Sequence, residues 1–480
     1  MAFNKNLVDT PGSDEWWVKR LAKSLGNRRP RIENLQMWLD GKPPPPWEMT
    51  GKQNREAYER LLSIASLNLA ELIVSSTLYR VQVEAVSSGT NPTDEEAARI
   101  IELMLATDAS AQFRQAIEWM LSLSVSYLLV RQVETENGME GRITAEHPSE
   151  VVAEADPLDP AKNVAALKVY RDDARGRDVL VLYRAGYQRI AYKYGTTSIW
   201  KNRVSLNGYN WADEFFDSEF VGREDSELDD VPIYTLLNRF GVGEYEKHIP
   251  HMQRINHTIL QQMIITVMQA FRQRAVKGVP DTDPRTGERI DYANIFTSDP
   301  GSLWILPEAA NVWESGQGDI NQIISAVTKD VERLAIAAQS PLYALSSDAA
   351  QQSAASSELM REGQIFKAED LQKRLTPRFA AAISHMLKFS GENDLADRRK
   401  MRVIWAPARR SSLLERAQSG QLAASSGLPW QTVAEKFYEF SPAEIEQMKA
   451  HRMDDALNAV LNGASALTTS DVLNQTPVQG

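Results

Sequence analysis

Three observations on the 480-residue sequence predict an α+β fold, mostly α. Long stretches space their apolar residues three and four apart, as one buried helix face requires. Between them, residues 127–234 alternate apolar with polar side chains and are rich in aromatics, which is the texture of strands. Proline and glycine fall where one texture gives way to the other. With 43% hydrophobic and 24% charged residues, the chain can build roughly two to four core-forming units.

In chain order, the first fifty residues hold the pair Trp16-Trp17, a stretch of mixed charge and a stiff run of four prolines, 43–46. Tyr58, Leu61, Leu62, Ala65, Leu69, Leu72 and Ile73 predict one core-facing helix over 52–79. Two more are expected at 93–106, where Thr93 and Glu96 form a capping-box pattern, and at 111–123. The β-rich section then offers runs at 127–133, 164–170, 179–183 and 189–194, with 231–237 as a last strand. An apolar stripe from Ile249 through Met252, Ile255, Ile259, Met263, Val267 and Phe271 to Ala275 predicts a rod helix over 244–276. At ~1.5 Å per residue it would be roughly 45–50 Å long. Its other face is rich in amides: Gln253, Gln261, Gln262, Gln269 and Gln273. A turn-rich insertion follows, with strand-like pieces at 290–296 and 302–306, and then a return helix at 319–338. A third long helix spans 353–389, where Pro377 should kink or break it by removing a backbone donor. A short strand at 403–405 and helices at 413–424, 430–437 and 442–461 lead into a polar tail, 463–480.

Several chemistries are excluded or disfavoured. The chain has no cysteine, so disulfides and thiolate chemistry are out. Gly41-Lys42 and Gly51-Lys52 lack the rest of a phosphate-binding loop, and Gly241-Val-Gly243 lacks the third glycine of a dinucleotide fingerprint. His248 and His251 lack a carboxylate set for a metal. Asp281, Asp283, Glu288 and Asp291 depart from the calcium-loop order at Pro284-Arg285, so a hairpin turn over 283–287 is the simpler reading. No catalytic residue, metal site or cofactor is expected. Neither a secretory leader nor a membrane span is expected, because the opening residues lack an apolar run and the longest apolar stretches fall short of ~20 residues. The formal charge of −11 argues against gripping nucleic acid over the whole surface. Basic clusters at Arg28/Arg29/Arg31, Arg398/Arg399/Lys400/Arg402 and Arg409/Arg410 suit solvated faces or subunit contacts better than DNA sites.

The order of parts carries the strongest signal. Residues 17–39, the run Asn68-Leu-Ala-Glu-Leu-Ile-Val74, and Val231-Pro-Ile-Tyr-Thr-Leu-Leu-Asn238 leading through Gly243-Glu244 into the rod are followed by 341–366 and by Val403-Ile-Trp-Ala-Pro407 before Ser411-Ser412. Over about residues 15–460 this order resembles the portal proteins of long-tailed bacteriophages, particularly of phages of Gram-positive hosts. The resemblance implies a head-to-tail connector, a ring of usually twelve copies at one capsid vertex. The ring would be a non-enzymatic channel for double-stranded DNA in packaging and ejection. It implies a wing at 1–243, stem helix 1 at 244–276, a clip at 277–318, stem helix 2 at 319–340, a tunnel loop at 341–352, a kinked wing helix at 353–395, and a crown with tail at 396–480.

By the same resemblance, Ser346, Ser347, Asp348, Gln351, Gln352 and Ser353 would face passing DNA, where weak contacts and a phosphate-repelling acid suit sliding. Arg272, Arg274, Lys277 and Lys329 would form charged rings in the stem or pair between subunits. Asp281, Asp283, Arg285, Glu288 and Arg289 would meet partners at the clip. The implied partners are further copies of the chain, the terminase motor, head-completion or adaptor proteins, and the capsid and scaffold proteins, with no membrane. The implied location is the virion, reached through the host cytoplasm during assembly. Two readings compete. One is a monomeric or dimeric hydrolase using Asp156, Asp159, Asp172 or Asp173; the other is an oligomeric capsid adaptor that passes no DNA.

Overall fold

The computed structural model describes residues 4, 6–44, 52–88, 94–136, 138–195, 206–212, 230–270, 274–277, 282–283, 285–289, 311–314, 320–340, 354–409, 413–438, 440, 444–445, 447–449 and 451–453. Within them helices and small antiparallel sheets are mixed, an α+β arrangement.

The chain opens with a helix that the sequence reading missed: α1, Asp14–Leu39. The Ser13 hydroxyl caps it, accepting from the Trp16 N–H at 3.2 Å, and Asp14 and Glu15 sit where the helix dipole favours negative charge. Its first half buries Val18, Leu21 and Leu25 against one face of a five-stranded sheet, and its second half sends Ile32, Leu35 and Trp38 into the helical core.

That sheet runs β4 (Val151–Ala155), β5 (Asn163–Asp172), β6 (Arg177–Arg184), β7 (Tyr187–Tyr194) and β8 (Asn210–Trp211) in order. Side chains alternate across it, as a period of two demands. Leu167, Val169, Leu180 and Leu182 face α1, while Ala166, Val179, Val181 and Tyr183 face a second sheet. The second sheet has the order β3-β2-β9, with β2 at Val125–Thr135, β3 at Gly138–Glu146 and β9 at Ile233–Leu237. In β2, Val125, Tyr127 and Leu129 pack toward the first sheet, whereas Leu128 and Val130 enter the helical core. β2 is therefore an interior wall with both faces covered.

The helical core gathers α3 (Leu69–Leu78), α4 (Asp94–Ala106), α5 (Ala109–Leu123) and the long helix α8 (Ala354–Phe389). Phe113 and Phe379 meet edge-to-face at 4.4 Å, with Trp405 5.5 Å beyond. Gly141 on β3 lies so close to α8 that a Cβ there would stand 2.1 Å from the Met386 carbonyl oxygen. α8 continues as one helix through Pro377, so of the expected kink or break the break does not occur, and the Thr376 hydroxyl donates to the Gln372 carbonyl at 2.7 Å. Two strands far apart in sequence, β1 (Val83–Ser88) and β12 (Met401–Trp405), pair antiparallel at the edge of this core. Helices α9 (Leu413–Ser425) and α10 (Trp430–Lys436) follow.

Two expected helices change extent. The helix expected over 52–79 is two, α2 (Lys52–Ala65) and α3, parted at Ser66–Asn68. Asn68 caps α3 by accepting from the Glu71 N–H at 3.3 Å, and the Asn256 side chain takes up the Leu67 N–H at 3.1 Å. The rod expected over 244–276 is α6, Ile249–Ala270, and is about 33 Å long at ~1.5 Å per residue. Residues 246–248 form a 3₁₀ turn, and Pro250, which has no N–H to donate, sits where an α-helix begins. Beyond α6 the chain changes state, and Arg274–Lys277 is a strand, β10.

Candidate functional site

The return helix is α7, Ile320–Ala338, close to expectation. α6 and α7 pack as an antiparallel pair, and beyond them β10 pairs with β11 (Asn311–Glu314) to make a ribbon. The Arg254 guanidinium forks onto Asp330 at 3.0 and 2.9 Å, and Arg333 adds a third contact at 3.3 Å. This fork fixes the register of the pair with geometry suited to a carboxylate. α7 buries Leu334, Ala335 and Ala338 but leaves Ile336 68% and Ile324 44% exposed, and Ile264 on α6 is also exposed.

The expected charged positions separate. Lys329 is on the exposed side of α7, beside the Arg254–Asp330–Arg333 cluster. Arg274 and Lys277 lie on β10, where the register sets Arg274 opposite Glu314 and Lys277 opposite Asn311. Arg272 lies outside the described residues, as do Asp281 and all six tunnel-loop positions, Ser346, Ser347, Asp348, Gln351, Gln352 and Ser353. The strand-like pieces at 290–296 and 302–306 lie outside them too. Of the clip positions, Asp283 accepts from the Arg285 N–H at 2.8 Å, Gly287 has φ +71°, and Thr282 bridges Arg289, so this is a hairpin turn as the sequence suggests. Arg285, Glu288 and Arg289 are exposed on it.

The acids proposed for a hydrolase serve local structure. Asp156 and Asp159 accept from backbone N–H groups two residues on, at 2.8 and 3.1 Å. Asp173 pairs with Arg171. Burial pushes the Asp172 carboxyl up, but hydrogen bonds from Arg177 and the Arg175 N–H, with both guanidinium charges, hold it below the usual range. Among the described residues, no three metal-ligating side chains converge. His248 and His251 stand 6.4 Å apart, and His248 is pulled down by burial and by the neighbouring charges.

One feature had no clear sequence signal. Between β9 and the start of α6, residues 238–247 face α8 across a cleft of about 620 Å³. Phe240 stands on its rim with φ +59°, a left-handed conformation that bulky residues rarely adopt, and is 76% exposed. The Arg239 guanidinium and Lys247 ammonium lie 5.0 and 4.9 Å from its ring centroid. Phe366 on α8 is 64% exposed across the cleft. Lys367 pairs with Glu244, and Arg374 with Asp370 at 3.2 Å. Beneath the rim, Arg31 of α1 holds Glu246 at 2.6 Å and the Gly241 carbonyl at 2.8 Å, so the turn is braced by the body. Gln339, also in the left-handed region, ends α7 at the cleft, and Ser340 behind it is buried.

No family model and no curated protein matches the chain. Among solved structures, a chain of one described as "Neck of empty GTA particle computed with C6 symmetry" aligns with 83% of this chain and 96% of its own length. The identity is 12% and the TM-score 0.44.

Proposed function

We propose that the chain is a phage portal subunit: one copy in a ring that conducts double-stranded DNA and performs no catalysis. The observation that carries this reading is the antiparallel α6–α7 pair tipped by the β10–β11 ribbon and returning to the long helix α8, in the order the sequence resemblance demands. In this reading α6 and α7 are the stem, and the ribbon with the 282–289 turn belongs to the clip. Residues 341–352 are the tunnel loop between α7 and α8. The body to Gly243 together with α8 is the wing, and residues from 396 on are the crown.

The residue chemistry supports each role. Stem helices that pack side by side in a ring need apolar positions left over after their own pairing, and Ile264, Ile324 and Ile336 are such positions. Lys329 lies on an exposed face, where it would line a channel or meet a neighbour. Residues 346–353, made only of Ser, Ala, Gln and one Asp, offer no cation with which to trap phosphate. The terminase motor supplies the energy and docks at the clip, head-completion proteins replace it later, and capsid and scaffold proteins surround the ring.

The test is native mass with class-averaged electron microscopy of the purified chain. Rings of about twelve copies around a hole wide enough for a duplex are expected, and deletion of residues 346–353 should then block packaging while leaving the rings intact. A monomer at every concentration and in the presence of scaffold overturns the proposal.

A further inference from the structure

We infer that the Phe240 cleft is a socket for a second copy of this chain and that its occupant is the acidic aromatic segment 213–229 of that copy. The inference rests on the ring reading above and names the contact that would join neighbours in it.

The cleft is built in advance and left open. A phenylalanine in the left-handed region is strained, and strain of this kind persists where surrounding structure imposes it and function uses it. Here Arg31 and Glu246 impose it. Phe240 and Phe366 nonetheless give most of their ring surface to water, so the single chain gains little from holding them there. Two of the four non-glycine residues with positive φ among the described residues, Phe240 and Gln339, border this one cleft. Its charge is also unbalanced. Lys367 and Arg374 have carboxylate partners, but among the described residues Arg239 and Lys247 pair with none and only flank the Phe240 ring.

A basic cleft with exposed aromatic rings, in a chain of net charge −11, calls for an acidic segment carrying aromatic side chains. Residues 213–229 read DEFFDSEFVGREDSELD, with eight carboxylates against one arginine, and with Phe215, Phe216 and Phe220 among them. In the ring reading the occupant of the cleft comes from a neighbouring copy. The described chain resumes at Asp230, ahead of β9, while the cleft begins at Asn238, past its far end. Five strand residues at ~3.3 Å each hold the two ends roughly 16 Å apart. Segment and socket on opposite ends of a strand make a head-to-tail contact, the kind that closes rings.

The absence of native cysteine makes the test clean. The full-length chain carrying Phe216→Cys and Phe366→Cys is oxidised with copper phenanthroline and run on a non-reducing gel, beside a Phe216→Cys/Leu158→Cys control on an exposed loop residue. A ladder of covalent oligomers from the first pair and not from the control is expected. A disulfide closed only within single chains overturns the second-copy occupant. No disulfide while the unmodified chain forms rings overturns the socket and leaves the portal reading standing; a chain that is monomeric under all conditions removes both. As a second measurement, Arg239→Glu/Lys247→Glu should weaken self-association at least tenfold at low salt. Unchanged association overturns the inference.

Discussion

The body and the α6–α7 arm solve the burial problem in opposite ways. In the body, β2 is covered on both faces, α1 ties two cores together, and Phe113, Phe379 and Trp405 interlock. In the arm, one stripe of each helix is buried, while Ile264, Ile324 and Ile336 remain in water. A body of this kind is stable by itself. In the ring proposed above the arm's exposed stripe meets a neighbour, so stability and assembly should respond to different mutations.

Five measurements probe that division, from the largest effect to the smallest. Phe379→Ala removes the centre of the aromatic cluster and should cost about 3–5 kcal/mol in chemical unfolding of the body. A fall under 1 kcal/mol would show that the body is loosely packed there. Next is pH. Burial, with the Lys388 charge adding to it, pulls the His385 imidazole down to about 4, and its Nδ1 lies 2.8 Å from the Tyr234 hydroxyl. The unfolded chain therefore binds a proton near 6.5 that the folded chain refuses until about 4. His385 contributes stability present above pH 6.5 and lost as pH falls through that window, up to about 3 kcal/mol. His385→Gln should flatten the slope of stability against pH from 6.5 to 4. Third, Gly141→Ala drives a methyl into the Met386 carbonyl and should cost about 1–3 kcal/mol, read as a lower thermal midpoint.

The remaining two should separate assembly from stability. Phe240→Gly relieves a left-handed φ and should stabilise the isolated chain by about 1 kcal/mol while weakening self-association. Ile336→Ser should change unfolding by no more than about 0.5 kcal/mol yet reduce the ring population at low protein concentration. If Ile336→Ser unfolds the chain, the contrast between body and arm fails.

Much of this was legible in the sequence where a single periodicity ran without interference. β2, β5, β6, β7 and β9, α5, α7 and the strand at 403–405 fall where alternation or three–four spacing put them, whereas β3, β4 and β8 were not placed. α1 was not read, although Val18, Leu21, Leu25, Ile32 and Leu35 follow helical spacing, because Trp16-Trp17, a basic stretch and Pro30 mask the pattern. The α2–α3 break depends on Asn256, nearly two hundred residues away, reaching the Leu67 N–H. Local pattern cannot report such a contact. The end of the rod helix was missed for a related reason, since Phe271 and Ala275 continue the apolar stripe although the chain has turned to strand by Arg274. The cleft was illegible because a left-handed phenylalanine has no compositional sign. Only Gly241 and Gly243 hinted at a turn there.

The β1–β12 ladder has a consequence for biosynthesis. Ser88 pairs with Met401 and Val83 with Trp405, so the two strands are separated by more than 300 residues of chain. At ~5–20 residues per second, a ribosome needs roughly 15–60 s to make the second strand after the first emerges. Throughout that interval β1 presents an unpaired edge, the kind of surface that recruits other nascent chains. Its brevity, six residues with few buried side chains, keeps that edge a poor template until its own partner arrives.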